Sequence, residues 1–166
     1  MPLAAQQSAM ASAIEAANSS MGESGDSGHA GEAWAGVAEA YFSGGLNPAW
    51  TPIGLEAGKA AFASAFGSSV VADPAGATLA VALQNGFQAF AALAAVPANA
   101  APGLPAQLVP IVPPPAPPVI VTITSPAAET ASALAAELLG KLSPWALTGL
   151  VSVTTPGGPV PTTPWS

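Results

Sequence analysis

His29 is the single histidine of the chain, and Ser24, Asp26 and Ser27 stand close to it in ESGDSGHAGE. A histidine working as a general base needs a nucleophile within hydrogen-bond reach and a third group to orient it. The residue types for such a set are all present. Their placement is not, because every member lies in one Gly/Ser-rich stretch that does not preorganise a triad. We therefore read His29 as a solvated loop histidine.

The same stretch holds GDSG, a string that also occurs around the nucleophile of trypsin-like proteases. Without a second catalytic histidine or a matching strand pattern, four residues are a chance match. The acids Glu15, Glu23, Asp26, Glu32 and Glu39 are spread over two helices and a loop, and the DxDxDG order of a calcium loop is absent. GGLNPAW and TPGGP read as turns and lack phosphate-binding glycine spacing. No cysteine is present, so disulfide frameworks and thiolate metal sites are excluded. The expectation is a chain that is not an enzyme, with no catalytic residue, no metal and no cofactor.

What remains is chemistry of contact. Of the four tryptophans, Trp34 falls on a helical stripe and reads as core. Trp50 and Trp165 stand beside prolines in loop-like surroundings, and Trp145 follows Ser143-Pro144. Interfaces favour aromatic anchors of this kind. The ribbon LVPIVPPPAPPVIVTIT, from Leu108 to Thr124, carries no charge. Pro102, Pro105, Pro110, Pro113, Pro114, Pro115, Pro117 and Pro118 forbid a helix or a central strand here, and polyproline II is the default. Val119 to Thr124 is a β-type run of β-branched residues. As an added strand it would turn Val119, Val121 and Ile123 to one side, and Ile120, Thr122 and Thr124 to the other. The wholly apolar set would face a partner. The partner-binding residues read from the sequence are thus Val119, Val121, Ile123, Trp50, Trp145 and Trp165.

Helices have to position these groups. Leu3 to Ala17 reads as a first helix, with Leu3, Met10 and Ile14 on one face, and Asn18 to Gly28 as a polar linker. Gly31 to Phe42 carries the stripe Trp34, Val37, Ala38 and Tyr41, and Gly44-Gly45 ends it. Ile53 to Phe66 shares Leu55, Phe62 and Phe66 on one face, with Glu56 and Lys59 as an i,i+3 pair. Asp73-Pro74 starts a fourth helix carrying Leu79, Leu83, Phe87, Phe90 and Leu93, which Pro97 terminates. Ser125-Pro126 starts a last helix with Leu134, Leu138 and Leu142 inside, Glu129 in its first turn and Lys141 at its end. Leu150 to Thr154 is a short strand candidate. The fold class is mainly α: an alanine-rich helical body over 1–97, a Pro-rich extended arm with a β segment over 98–124, and a C-terminal helix and extended tail over 125–166.

Composition then sets the functional class. The 166 residues are 51% hydrophobic but only 6% aromatic, and much of the apolar fraction is alanine. Charged residues make up 7%, against roughly 25% in an ordinary globular chain. The only cationic side chains are Lys59 and Lys141, and no formal charge falls between Asp73 and Glu129. A surface this neutral favours association over life as a free monomer. Two separated lysines and a net charge of −7 argue against nucleic acid and against anionic membrane surfaces. Ala75 to Val96 is long enough to span a bilayer, but Gln84, Asn85 and Gln88 share one of its faces, which suits a water-soluble amphipathic helix. The first twenty residues lack a basic region and an unbroken apolar stretch, so they make a poor signal peptide.

Alanine-rich helices, near-absence of charge, absence of cysteine, Pro-rich arms and the ending TPWS together resemble the small structural proteins of tailed bacteriophages and related contractile particles. The resemblance is one of style, clearest over Asp73 to Val96 and Ser125 to Ser166, and it transfers no functional residue. It implies a structural subunit of a virion tail, neck, baseplate or capsid, assembled in the bacterial cytoplasm, whose partners are other structural subunits and further copies of itself. The alternative is a secreted or cell-surface Ala/Pro-rich bacterial interaction protein.

Overall fold

Met10, Ile14 and Ala17 recur at helical spacing and are all buried, as are Trp34, Val37, Ala38 and Tyr41, and again Leu83, Phe87 and Phe90. These stripes are the inner faces of successive helices in a computed structural model, which describes residues 5–21, 27–44, 55–69, 77–94, 111–120, 130–151, 154–155, 158–159 and 163–165. The helices are α1 (Gln7–Met21), α2 (Ser27–Phe42), α3 (Leu55–Ser69), α4 (Ala77–Ala94) and α5 (Ala131–Ala146). Neighbours in sequence pack on one another from α1 through α4, and α5 lies against α1. The chain is mainly helical. Among the described residues no helix is long and apolar enough to cross a membrane.

Helix packing here is close because small residues let it be. A Cβ on Gly58 of α3 would lie 2.8 Å from the ring of Phe90 on α4, and one on Gly86 of α4 would lie 2.6 Å from the ring of Phe62 on α3. Each helix thus offers a glycine to the other's phenylalanine. That reciprocal fit, with buried Ala35, Ala38, Ala80, Ala82 and Ala91, allows a chain in which alanine far outnumbers leucine to fill its interior. All five phenylalanines are buried, and ring contacts run from Trp34 through Phe66, Phe62 and Phe87 to Tyr41.

Several boundaries differ from those read in the sequence. The first helix continues past Ala17 to Met21, and α2 begins at Ser27, so the polar linker is shorter than expected and His29 is helical. Hydroxyls contribute to this: Ser19 Oγ donates back to the Glu15 carbonyl at 2.9 Å, which lets serine sit in a last turn. The last helix does not begin at Ser125-Pro126. Its N-cap is Thr130, whose Oγ1 accepts from the Ala133 N–H at 3.2 Å, so Glu129 precedes the helix. At its other end α5 runs through Pro144 to Ala146. Proline deprives the Gly140 carbonyl of its intrahelical donor, but both residues are exposed, while Trp145 and Ala146 beyond them are buried. Lys141 therefore sits inside the helix, 3.5 Å from Glu137. Leu93 is exposed, since it stands in the last turn of α4 at the margin of the stripe.

The β structure consists of two-residue pairings. Strands β1 (Ile111–Val112), β2 (Leu150–Val151) and β5 (Thr163–Pro164) form an antiparallel sheet in the order β1-β2-β5. Strands β3 (Thr154–Thr155) and β4 (Gly158–Pro159) pair with each other. Val119 and Ile120, the start of the run expected to be β, belong to no strand. Pro117 and Pro118 withhold the donors a ladder needs, and the Ile120 N–H turns back to the Pro118 carbonyl at 3.1 Å. Residues 121–124, like Asp73-Pro74 and Pro97, lie outside the described residues.

Candidate partner-binding surface

A run of prolines has carbonyls to satisfy and no N–H groups with which to join a ladder. Residues 113–120 have no regular secondary structure, and they lie along the helical body. Two side chains hold them there through alternate carbonyls. Gln88 Nε2, on α4, donates to the Pro114 carbonyl at 2.8 Å, and Trp145 Nε1, on α5, donates to the Ala116 carbonyl at 2.6 Å. Pro114, Pro118 and Ile120 are buried, while Pro115, Ala116, Pro117 and Val119 face out. The ribbon therefore has two sides, one gripped and one free.

Tryptophan sets the gripped side. Trp145, 7% exposed, places its ring 6.3 Å from Phe42 and 6.5 Å from Phe87. Trp165 is 0% exposed, with its ring 6.2 Å from Phe42 in an edge contact. Gly149 makes the second tryptophan fit. A Cβ there would come within 2.7 Å of the Trp165 indole and 3.0 Å of Pro114 Cδ. The Trp165 N–H also donates to the Gly149 carbonyl at 3.1 Å, next to the pairing of Leu150 with Pro164. Three buried polar atoms in this region make no hydrogen bond among the described residues: Gln88 Oε1, Trp165 Nε1 and Tyr41 Oη.

The residues read from the sequence as partner-binding are thus separated by the structure. Val119 is 74% exposed, the most exposed of the large hydrophobic residues described, and its neighbour Ile120 is fully buried. The pair lies in no strand, so this difference in burial comes from the lie of the ribbon on the helices and not from the strand alternation expected for Val119 to Thr124. Trp145 and Trp165 serve as anchors within their own chain, because their rings fill the space between the ribbon, Gly149 and Phe42. Trp50, Val121 and Ile123 lie outside the described residues. Gln88 and Phe42 were not read as site residues. Gln88 carried a signal, as a polar side chain on an otherwise apolar helix, but nothing in its spacing pointed to a carbonyl on the ribbon.

The other polar groups are engaged elsewhere. Lys59 bridges helices by pairing with Glu39 at 3.0 Å, closer than its i,i+3 neighbour Glu56 at 4.0 Å. The hydrogen bond that Lys59 donates to the Glu39 carboxylate raises the Lys59 pKa. His29 stands in the first turn of α2 and not in a loop, while Ser24 and Asp26 lie outside the described residues. Among the described residues no group of three or more His, Asp or Glu side chains is placed to hold a metal. An open groove of about 630 Å³ between α1 and the start of α5 is lined by Gln7, Ser8, Ser12, Glu15 and Ser132, among others. Gln7 Nε2 reaches the Ser132 carbonyl across it at 3.5 Å.

Neither a protein-family model, nor a curated protein, nor a solved structure matches this chain.

Proposed function

We propose that this chain is a non-enzymatic structural subunit of a bacteriophage virion or phage-like particle, joining neighbouring subunits through its helices and its proline-rich arm. The observation that carries the reading is the two-sided ribbon. One side is fixed by Gln88 and Trp145, and the other presents Val119 to solvent. A large apolar side chain held outward on a proline-stiffened backbone loses little entropy when a partner covers it. The surrounding surface offers few charges to resist burial, since charged residues are 7% of the chain. In the assembled particle, Val119, Val121 and Ile123 form the apolar row that enters the neighbour, and the residues after Pro118 add to a sheet edge there.

The test is Val119→Asp, with Val119→Thr beside it. Burying an unpaired carboxylate in an interface is costly, so the aspartate variant should fail to enter particles. The threonine variant should enter them at a reduced level. Both should keep the parent's helical circular dichroism, because position 119 faces away from the core. Full incorporation of Val119→Asp would overturn the ribbon as the joining surface.

A further inference from the structure

The described chain divides into two parts that meet along one aromatic seam. The first is α1 to α4, which presents Phe42, Phe87 and Gln88. The second holds everything from Ile111 on, and it inserts Trp145 and Trp165 against Phe42 while Pro114 accepts from Gln88. Apart from the aromatic contacts, α5 rests on α1, with Gln7 bonded to Ser132. We infer that this seam is also a binding surface for a second copy of the chain: residues 111–165 of one copy dock on helices α1 to α4 of another, with the contacts seen here within one chain. The inference rests on the proposed role as an assembly subunit and names how two subunits would be joined.

Three observations favour exchange. The complementary surfaces are complete in a single chain, so a second copy needs no new contact, which is the condition for swapping. The two parts are connected by residues 95–110, a stretch without charge that contains Pro97, Pro102, Pro105 and Pro110. Extended at ~3.1 Å per residue, it would reach about 50 Å, enough for the second part to dock on an adjacent copy. The seam also buries Gln88 Oε1 and Trp165 Nε1 without partners. Both atoms regain water when the seam opens, which lowers the cost of opening. Which copy fills the surface then depends on concentration against linker reach, and a particle sets that local concentration high.

The chain contains no cysteine, so introduced thiols report exchange cleanly. Ala92→Cys lies on the exposed side of α4, one turn beyond Gln88, and Pro115→Cys lies on the exposed side of the ribbon. The double variant, joined by a short bismaleimide, should cross-link within one chain and calibrate the reach. The two single variants are then unfolded, mixed, refolded at high concentration and cross-linked. A 92–115 product between copies, rising with protein concentration, is the expected result. Asn18→Cys on α1, mixed with Pro115→Cys in the same way, should give none. If the double variant cross-links within the chain while the mixed single variants do not, exchange is overturned and the subunit reading stands on particle incorporation. Equal yields of 92–115 and 18–115 products would show indiscriminate association and would also overturn it.

Discussion

Tyr41 lies fully buried between Phe42 and Phe87, at ring distances of 5.1 and 6.1 Å, and its hydroxyl has no hydrogen-bond partner. Burial pushes its pKa well above the ordinary tyrosine value of about 10. The folded state then holds the phenolic proton where the unfolded state releases it. Stability is unaffected by this group below pH 10 and falls as pH rises above it. Tyr41→Phe removes both the unpaired hydroxyl and the titration. We expect it to be neutral or stabilising by about 1 kcal/mol near pH 7, with a shallower loss of stability above pH 10, measured by urea unfolding at both pH values. A destabilised phenylalanine variant would mean that the hydroxyl is bonded after all. Lys59 loses its contribution in the same direction, since a raised lysine pKa stabilises below the unfolded value and not above the folded one. Its partner Glu39 is partly exposed, so this effect is small. At this scale the sequence is readable where a residue's role follows from its stripe, as with Trp34 and Tyr41. It is not readable where a partner sits on another helix. Glu56 was the visible partner of Lys59, and Glu39 is the nearer one.

Elements were legible where apolar spacing was regular, and less so at their ends. Phe62, Phe66, Phe87 and Phe90 placed α3 and α4 correctly, yet the reason those helices approach so closely lies in Gly58 and Gly86, which carry no periodic signal. Gly86→Ala tests the reciprocal fit. Helix propensity alone favours alanine by about 1 kcal/mol, but its Cβ would sit 2.6 Å from Phe62, whose ring is buried and has little room to move. Overpacking of this kind costs roughly 1–3 kcal/mol. We therefore expect a net lower melting temperature for Gly86→Ala and an even lower one for Gly86→Val, and a rise for alanine would contradict the packing described. Helix ends depart from the sequence pattern where two signals compete. Ser125-Pro126 has the residue types of a helix start, but the cap in use is Thr130. Pro144 has the residue type of a stop, but the helix runs two residues past it to Ala146, which takes Trp145 into the core.

For the whole molecule, nine acids and two lysines are the only side chains that carry formal charge at pH 7, and the ribbon region has none. That inventory was plain in the sequence, and the proposal that the chain associates rests on it. Hidden from it was the path of the ribbon. The carbonyls of Pro114 and Ala116 meet Gln88 and Trp145 across long stretches of chain, and no local pattern encodes such a meeting. The result is a ribbon held on its own helices at Pro114 and Ala116 with Val119 outward, where the residue types alone suggested an extended arm. The central claim is that this arm belongs to a particle subunit, and the most direct measurement is quantitative mass spectrometry across a density gradient of particles released from the producing cells. Peptides of this chain should peak with the other structural proteins at a constant ratio through the particle band. Recovery in the soluble secreted or cell-surface fraction instead, with no peak at the particle density, would contradict it.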